Sequence, residues 1–198
     1  QDASGNDEAV QTVQCKVYDP NNYNLVAKHK KKGKGVVKIV NKKNHTTLKT
    51  FQAFSNGGVR AAVVKVDDVK RVAALQYKKS NLLKLFDLNG NLLGKKKFAK
   101  QKQRSLLVAG NLYKAKGDEE IIITQLNASS GELIIRAFNV TTKNKPKALA
   151  SITVSTNLHD YTLQIKKKKL LVKTNKGKKT ELTLKLIKQG KSFQLQVQ

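Results

Sequence analysis

An extended, apolar-alternating segment closed by a polar hairpin recurs about every fifty residues along this 198-residue chain. Val37-Lys38-Ile39-Val40-Asn41, Leu83-Lys84-Leu85-Phe86-Asp87, Ile134-Ile135-Arg136-Ala137-Phe138-Asn139 and Leu184-Lys185-Leu186-Ile187-Lys188 are equivalent segments. Taken at Val40, Phe86, Phe138 and Ile187, their spacings are 46, 52 and 49 residues. Periods of this length come from stacked or radially arranged copies of one supersecondary unit. Short runs rich in Val, Ile, Leu, Thr and Phe, divided by Gly, Asn, Asp or Lys clusters, read as strands, and helical periodicity is nearly absent. The chain is therefore expected to be all-β.

Each repeat divides into about four antiparallel strands. The second unit reads Val59 to Val66, Arg71 to Gln76, Leu82 to Asp87 and Leu92 to Ala99, with Asn89-Gly90 in the last turn, where positive φ angles are tolerated. The third reads Leu106 to Ala109, Glu120 to Thr124, Leu133 to Phe138 and Ala148 to Val154. Its second strand is almost wholly apolar, as required of a strand covered on both faces. Tyr161 to Ile165, Leu170 to Lys173, Leu182 to Ile187 and Phe193 to Val197 make the fourth. The first, less regular, offers Val13 to Tyr18, Leu25 to His29, Val36 to Val40 and Leu48 to Phe54. Residues 1–9 form a polar arm expected to fray, and 10–198 one repeat domain with units at 10–56, 57–103, 104–156 and 157–198. Four such units predict a small β-propeller; the alternative is a β-sandwich or an open stack of sheets.

These residues resemble the FG-GAP/VCBS-type repeats of secreted and surface propellers, including the integrin α-subunit head. The likeness rests on Phe51-Gln52-Ala53-Phe54-Ser55-Asn56-Gly57-Gly58-Val59-Arg60-Ala61-Ala62, followed by the hairpin Leu85 to Leu93. Val108-Ala109-Gly110-Asn111-Leu112 with Gly117-Asp118-Glu119-Glu120-Ile121-Ile122-Ile123 extends it, so that it covers roughly residues 36 to 154. The resemblance implies a noncatalytic, extracellular or cell-surface binding and adhesion scaffold. Such repeats usually carry Asp-x-Asp-x-Asp-Gly between their first two strands, because Ca²⁺ needs several charged oxygens. Here Asn111, Tyr113 and Ala115 stand at the ligand positions beside Lys114 and Lys116, and the second unit keeps only Asp67 and Asp68. No metal and no cofactor is expected.

Forty Lys+Arg against thirteen Asp+Glu give a net charge of +27, which opposes compaction and favours an anionic partner. The basic runs are Lys28-His29-Lys30-Lys31-Lys32-Gly33-Lys34, Lys95-Lys96-Lys97 with Lys100, Lys102 and Arg104, Lys166-Lys167-Lys168-Lys169, and Lys176-Gly177-Lys178-Lys179. All fall at predicted turns or strand ends, where they either line rims that bind a polyanion or simply guard exposed edges. Only Arg60, Arg71, Arg104 and Arg136 are arginine, and the aromatics do not interleave with the lysines. Base readout and a stacking platform are therefore disfavoured, leaving acidic polysaccharide, anionic cell wall, anionic lipid or nonspecific nucleic acid as partners.

Catalysis has little to stand on. His29, His45 and His159 are scattered, and neighbours on a strand such as His159 and Asp160 point to opposite faces. Asp118-Glu119-Glu120 is expected to neutralise nearby lysines. No nucleophile elbow, phosphate loop or zinc spacing appears, and the lone Cys15 excludes an internal disulfide or a cysteine-based metal site. No run approaches the ~20 apolar residues of a membrane helix. The sequence holds no methionine and opens on Gln1, which is expected of a trimmed or processed chain. Asn44, Asn127 and Asn139 head glycosylation triplets in predicted hairpins or loops. The expected function is a secreted or surface-displayed module that contacts an anionic polymer through lysine-rich rims. The alternative is a self-associating structural subunit of an extracellular filament or surface layer.

Overall fold

Alternating apolar and polar residues become fifteen antiparallel strands in a computed structural model. It describes residues 25–29, 33–41, 43–77, 81–98, 104–113, 118–127, 129–156, 158, 161–174 and 180–198. Among the described residues there is no helix. The first sheet contains β1 (Leu25–His29), β2 (Gly35–Asn41) and β3 (Thr47–Phe54). The second contains β4 (Val59–Val66), β5 (Val69–Gln76), β6 (Leu82–Phe86) and β7 (Leu92–Lys97). The third contains β8 (Arg104–Gly110), β9 (Glu120–Asn127), β10 (Glu132–Val140) and β11 (Pro146–Ser155). The fourth contains β12 (Tyr161–Lys166), β13 (Lys169–Thr174), β14 (Thr180–Gln189) and β15 (Ser192–Val197).

Every sheet is a meander in which each strand pairs with the next in sequence. The repeat seen in the sequence is thus one sheet per period. The sequence-predicted first strand of the first unit, Val13 to Tyr18, lies outside the described residues, as does the polar arm.

Period-two alternation decides how the sheets stack. On β5, Val72 and Ala74 pack with Val37, Ile39 and Phe54 of the first sheet. Their neighbours Ala73 and Leu75 face the other way, onto Ile121 and Ile123 of β9. Ile122 and Leu126 of β9 face away from the second sheet and meet Tyr161, Leu170 and Val172 of the fourth. A central strand covered on both faces reads as a continuous apolar run where it crosses the core, as Ile121-Ile122-Ile123 of β9 does, and the buried polar Glu120 and Thr124 of the same strand are hydrogen-bonded. Burying each Ile, Leu or Val of these layers stabilises the stack by about 1.5–3 kcal/mol.

Three apolar layers therefore lie between consecutive sheets. Among the described residues none joins the fourth sheet to the first. The sheets follow one another face to face in chain order, compatible with propeller blades.

The turns keep their backbone angles through two devices. Gly90, at φ 91°, supplies the left-handed residue of the β6–β7 hairpin, and Asn91 N–H donates to the Asp87 carboxylate Oδ1 at 2.8 Å to close it. By contrast, the two-residue turns β4–β5 and β12–β13 place Asp67, Asp68, Lys167 and Lys168 at φ 50°, 58°, 49° and 62°. Left-handed backbone at a non-glycine residue costs about 1–2 kcal/mol.

Candidate polyanion-binding face

The fourth sheet is last in the stack, so one of its faces has no neighbour among the described residues. Tyr161, Leu163 and Ile165 of β12, Leu170 and Val172 of β13, and Leu184 and Leu186 of β14 all turn toward the third sheet. Alternation then sends Lys166, Lys169, Lys173 and Lys185 to the opposite side, among Thr162, Gln164, Leu171 and Thr183. Register fixes their positions: Lys166 lies opposite Lys169 and Lys173 opposite Thr162, while Lys185 lies opposite Gln196 of β15. From Leu133 to the end of the sequence the only acidic residues are Asp160 and Glu181. The result is a cationic face that also carries amide and hydroxyl groups and the half-buried Leu171 and Ile187.

The carboxylates of Asp68, Asp118, Glu119 and Glu120 are engaged at the second and third sheets. Lys65 N–H donates to Glu119 Oε2 and Asp67 N–H to Asp118 Oδ1, both at 2.7 Å, tying the third sheet to the β4–β5 turn of the second. Leu112 N–H and Tyr113 N–H donate to Glu120 Oε2 at 2.7 and 3.3 Å. Burial holds the Glu120 carboxyl above the usual carboxylate range, against the pull of those amides and its own. Asp68 pairs with Lys65 at 2.8 Å on the surface; that bond lowers the Asp68 pKa and raises that of Lys65. Glu119 and Asp118 also raise the pKa of Lys65 by their charge, as expected of a cluster that neutralises a nearby lysine, and all three acids of Asp118-Glu119-Glu120 in addition accept hydrogen bonds from the backbone.

The remaining sequence-predicted positions separate. Lys95, Lys96 and Lys97 end edge strand β7, as the sequence predicts, and alternation splits them. Lys96 lies opposite Leu83, on the side facing the third sheet, whereas Lys95 and Lys97 lie opposite Lys84 and Leu82, on the side facing the first. Lys84 Nζ itself donates to the Ala53 carbonyl at 2.8 Å and sits 4.6 Å from the centre of the Phe54 ring. Burial, with repulsion from Lys95, lowers its pKa. Lys28 is on β1 and Lys34 is exposed in the bend before β2. Lys30, Lys31, Lys32, Lys178 and Lys179 lie outside the described residues.

Lys166 to Lys169 do form the predicted turn, with Lys167 and Lys168 at its tip. Sequence reasoning missed Lys173 and Lys185 as their companions. The signal was present in the strict alternation of β14, but it needed knowledge of which face stays open.

Asn44 is exposed in the β2–β3 turn, with its Oδ1 accepting from Thr46 N–H at 3.2 Å. Asn127 Oδ1 accepts from Ser129 N–H and Ser130 N–H at 3.1 and 3.3 Å. Asn139 lies in the β10–β11 hairpin, in its ladder and not its turn: it is paired with Lys147, and its Oδ1 is buried. His45 sits exposed at φ 58° in a turn, while His159 and Asp160 lie outside the described residues. No group of three or more His, Cys, Asp or Glu gathers among the described residues, and no helix there is long and apolar enough to cross a membrane. No protein-family model matches the chain, and no curated protein matches it.

Proposed function

We propose that this protein is a noncatalytic binding module of the extracellular or cell-surface type that holds an anionic polymer on the outward face of its fourth sheet. One observation carries the reading. By strand alternation Lys166, Lys169, Lys173 and Lys185 share a face with amide and hydroxyl side chains, and from Leu133 onward the sequence holds only two acids, Asp160 and Glu181. A polymer with a sulfate or carboxylate per unit would release counterions along such a face and take hydrogen bonds from Gln164, Gln194 and Gln196. The net charge of +27 adds long-range attraction. The resemblance to FG-GAP/VCBS-type propellers supports the surface location.

The test is binding of a sulfated polysaccharide and of duplex DNA across a salt series, comparing the native chain with a Lys173→Gln/Lys185→Gln double variant. The expected result is affinity that falls steeply with salt, with a logarithmic slope reduced by about two in the variant, since each lost cation removes about one unit. A flat salt profile, or an unchanged slope in the variant, overturns the reading.

A second reading, a self-associating filament or layer subunit, is favoured by β15. This outer edge strand, Ser-Phe-Gln-Leu-Gln-Val, carries no charge, whereas β7 on the outer edge of the second sheet ends in three lysines. An uncharged edge is a template for strand addition. Light scattering that rises with concentration in the native chain and stays flat in Gln196→Lys would favour it.

A further inference from the structure

A second cationic place lies between the second and third sheets, away from the proposed polymer face. Arg136 projects from β10 toward the second sheet. Its Nη1 donates to Gln125 Oε1 of β9, and its guanidinium sits 5.4 Å from the centre of the Phe98 ring. These two contacts fix the plane of the group. Among the described residues no carboxylate pairs with it, and a guanidinium has five N–H donors, of which Gln125 takes one. Burial lowers the Arg136 pKa, so among the described residues the charge is held partly out of water without a counter-ion. Keeping an unpaired charge there costs stability, and an incoming anion would recover that cost.

The surroundings define what kind of anion fits. Arg136 and Lys96 border a groove of about 340 Å³ whose other walls include Phe98, Phe138, Ala148 and Ala150. The Phe98 and Phe138 rings are 6.1 Å apart and tilted by 45°. A groove of this size holds one ring-sized molecule. Its apolar walls gain nothing from a bare sulfate or a fully hydrated polymer unit, whereas its two cations match a carboxylate, which a planar guanidinium grips with two parallel hydrogen bonds.

We infer that this groove binds an organic carboxylate with a ring-sized apolar body, the carboxylate on Arg136 and Lys96 and the body against Phe98, Phe138, Ala148 and Ala150. This site is independent of the lysine face of the fourth sheet.

Calorimetric titration of the full chain with benzoate and cyclohexanecarboxylate, against acetate, sulfate and benzyl alcohol as single-feature controls, tests it. The expected result is saturable one-to-one binding of the two ring carboxylates, with each control at least about tenfold weaker, the ratio given by losing one charged or apolar contact of about 1.4 kcal/mol. Arg136→Gln should abolish binding. Lys96→Ala changes an exposed side chain that cannot unfold the protein, and should weaken binding several-fold. Lys173→Gln/Lys185→Gln should leave it unchanged. Acetate or sulfate binding as tightly as benzoate, no saturable benzoate binding, or full affinity in Lys96→Ala would each overturn the inference. Because polysaccharide affinity depends on other residues, its retention or loss in these variants separates this site from the polymer face.

Discussion

The hydroxyls of Tyr161 and Thr124 meet at 2.7 Å between the third and fourth sheets, and both residues are fully buried. Tyr161 opens β12, and Thr124 follows the apolar run Ile121-Ile122-Ile123 of β9. Their hydrogen bond lets an oxygen sit inside the layer formed by Leu170, Val172 and Ile122. Tyr161→Phe keeps the ring and removes the oxygen, leaving the Thr124 hydroxyl without this partner. The variant should lose about 1–3 kcal/mol, read as a lower midpoint in urea unfolding with an unchanged slope. A Thr124→Val/Tyr161→Phe double variant should recover part of the loss, because both polar groups are then gone.

Gly94 of β7 packs against the β10–β11 turn so closely that a Cβ would fall well inside van der Waals distance of the Asn144 carbonyl oxygen. That obstacle is backbone in a turn, not the end of a flexible side chain. Gly94→Ala is expected to destabilise the contact between the second and third sheets by about 1–3 kcal/mol. Thermal unfolding followed by circular dichroism measures the effect, and an unchanged midpoint would show that the two sheets are not pressed together here.

Lys167 and Lys168 carry left-handed backbone at φ 49° and 62° in a two-residue hairpin. Glycine adopts such angles without the Cβ penalty, at some cost in unfolded-state entropy. Lys168→Gly should therefore stabilise the fold by about 0.5–1 kcal/mol while removing one charge from the rim of the proposed polymer face. Stability and polyanion affinity move in opposite directions in this variant, which denaturation and the salt series read separately.

Glu120 gives a pH prediction. Its folded carboxyl titrates above the usual range, so ionising it is harder in the folded state than in the unfolded chain. No cost exists below the unfolded pKa of about 4.3, where both states are protonated. The cost grows as pH rises through the folded value. Glu120→Gln retains an acceptor for Leu112 N–H and Tyr113 N–H but cannot ionise. The native chain should thus lose stability relative to Glu120→Gln on going from pH 4 to pH 7, measured as the difference between two urea titrations. A difference independent of pH would show that the amides fully compensate burial.

The sequence by itself determined the all-β class, one sheet per fifty-residue period, and most hairpins, because strand alternation and turn chemistry act over a few residues. The apolar run Ile121-Ile122-Ile123 announced a strand covered on both sides, and β9 is such a strand. What only the tertiary structure decided is which charges share a surface. A run such as Lys95-Lys96-Lys97 looks like one cluster in the sequence, yet strand geometry sends Lys96 to the Arg136 groove and its neighbours to the other side. Lys173 and Lys185 join Lys166 and Lys169 only because the fourth sheet has no described neighbour on that face. Asp118 and Glu119 look like a surface acid pair until the stack brings them to the backbone of Lys65 and Asp67, more than fifty residues earlier in the chain. The physical reason is that alternation assigns each side chain to one of two faces, while the stacking of whole sheets decides which face is buried and which meets water.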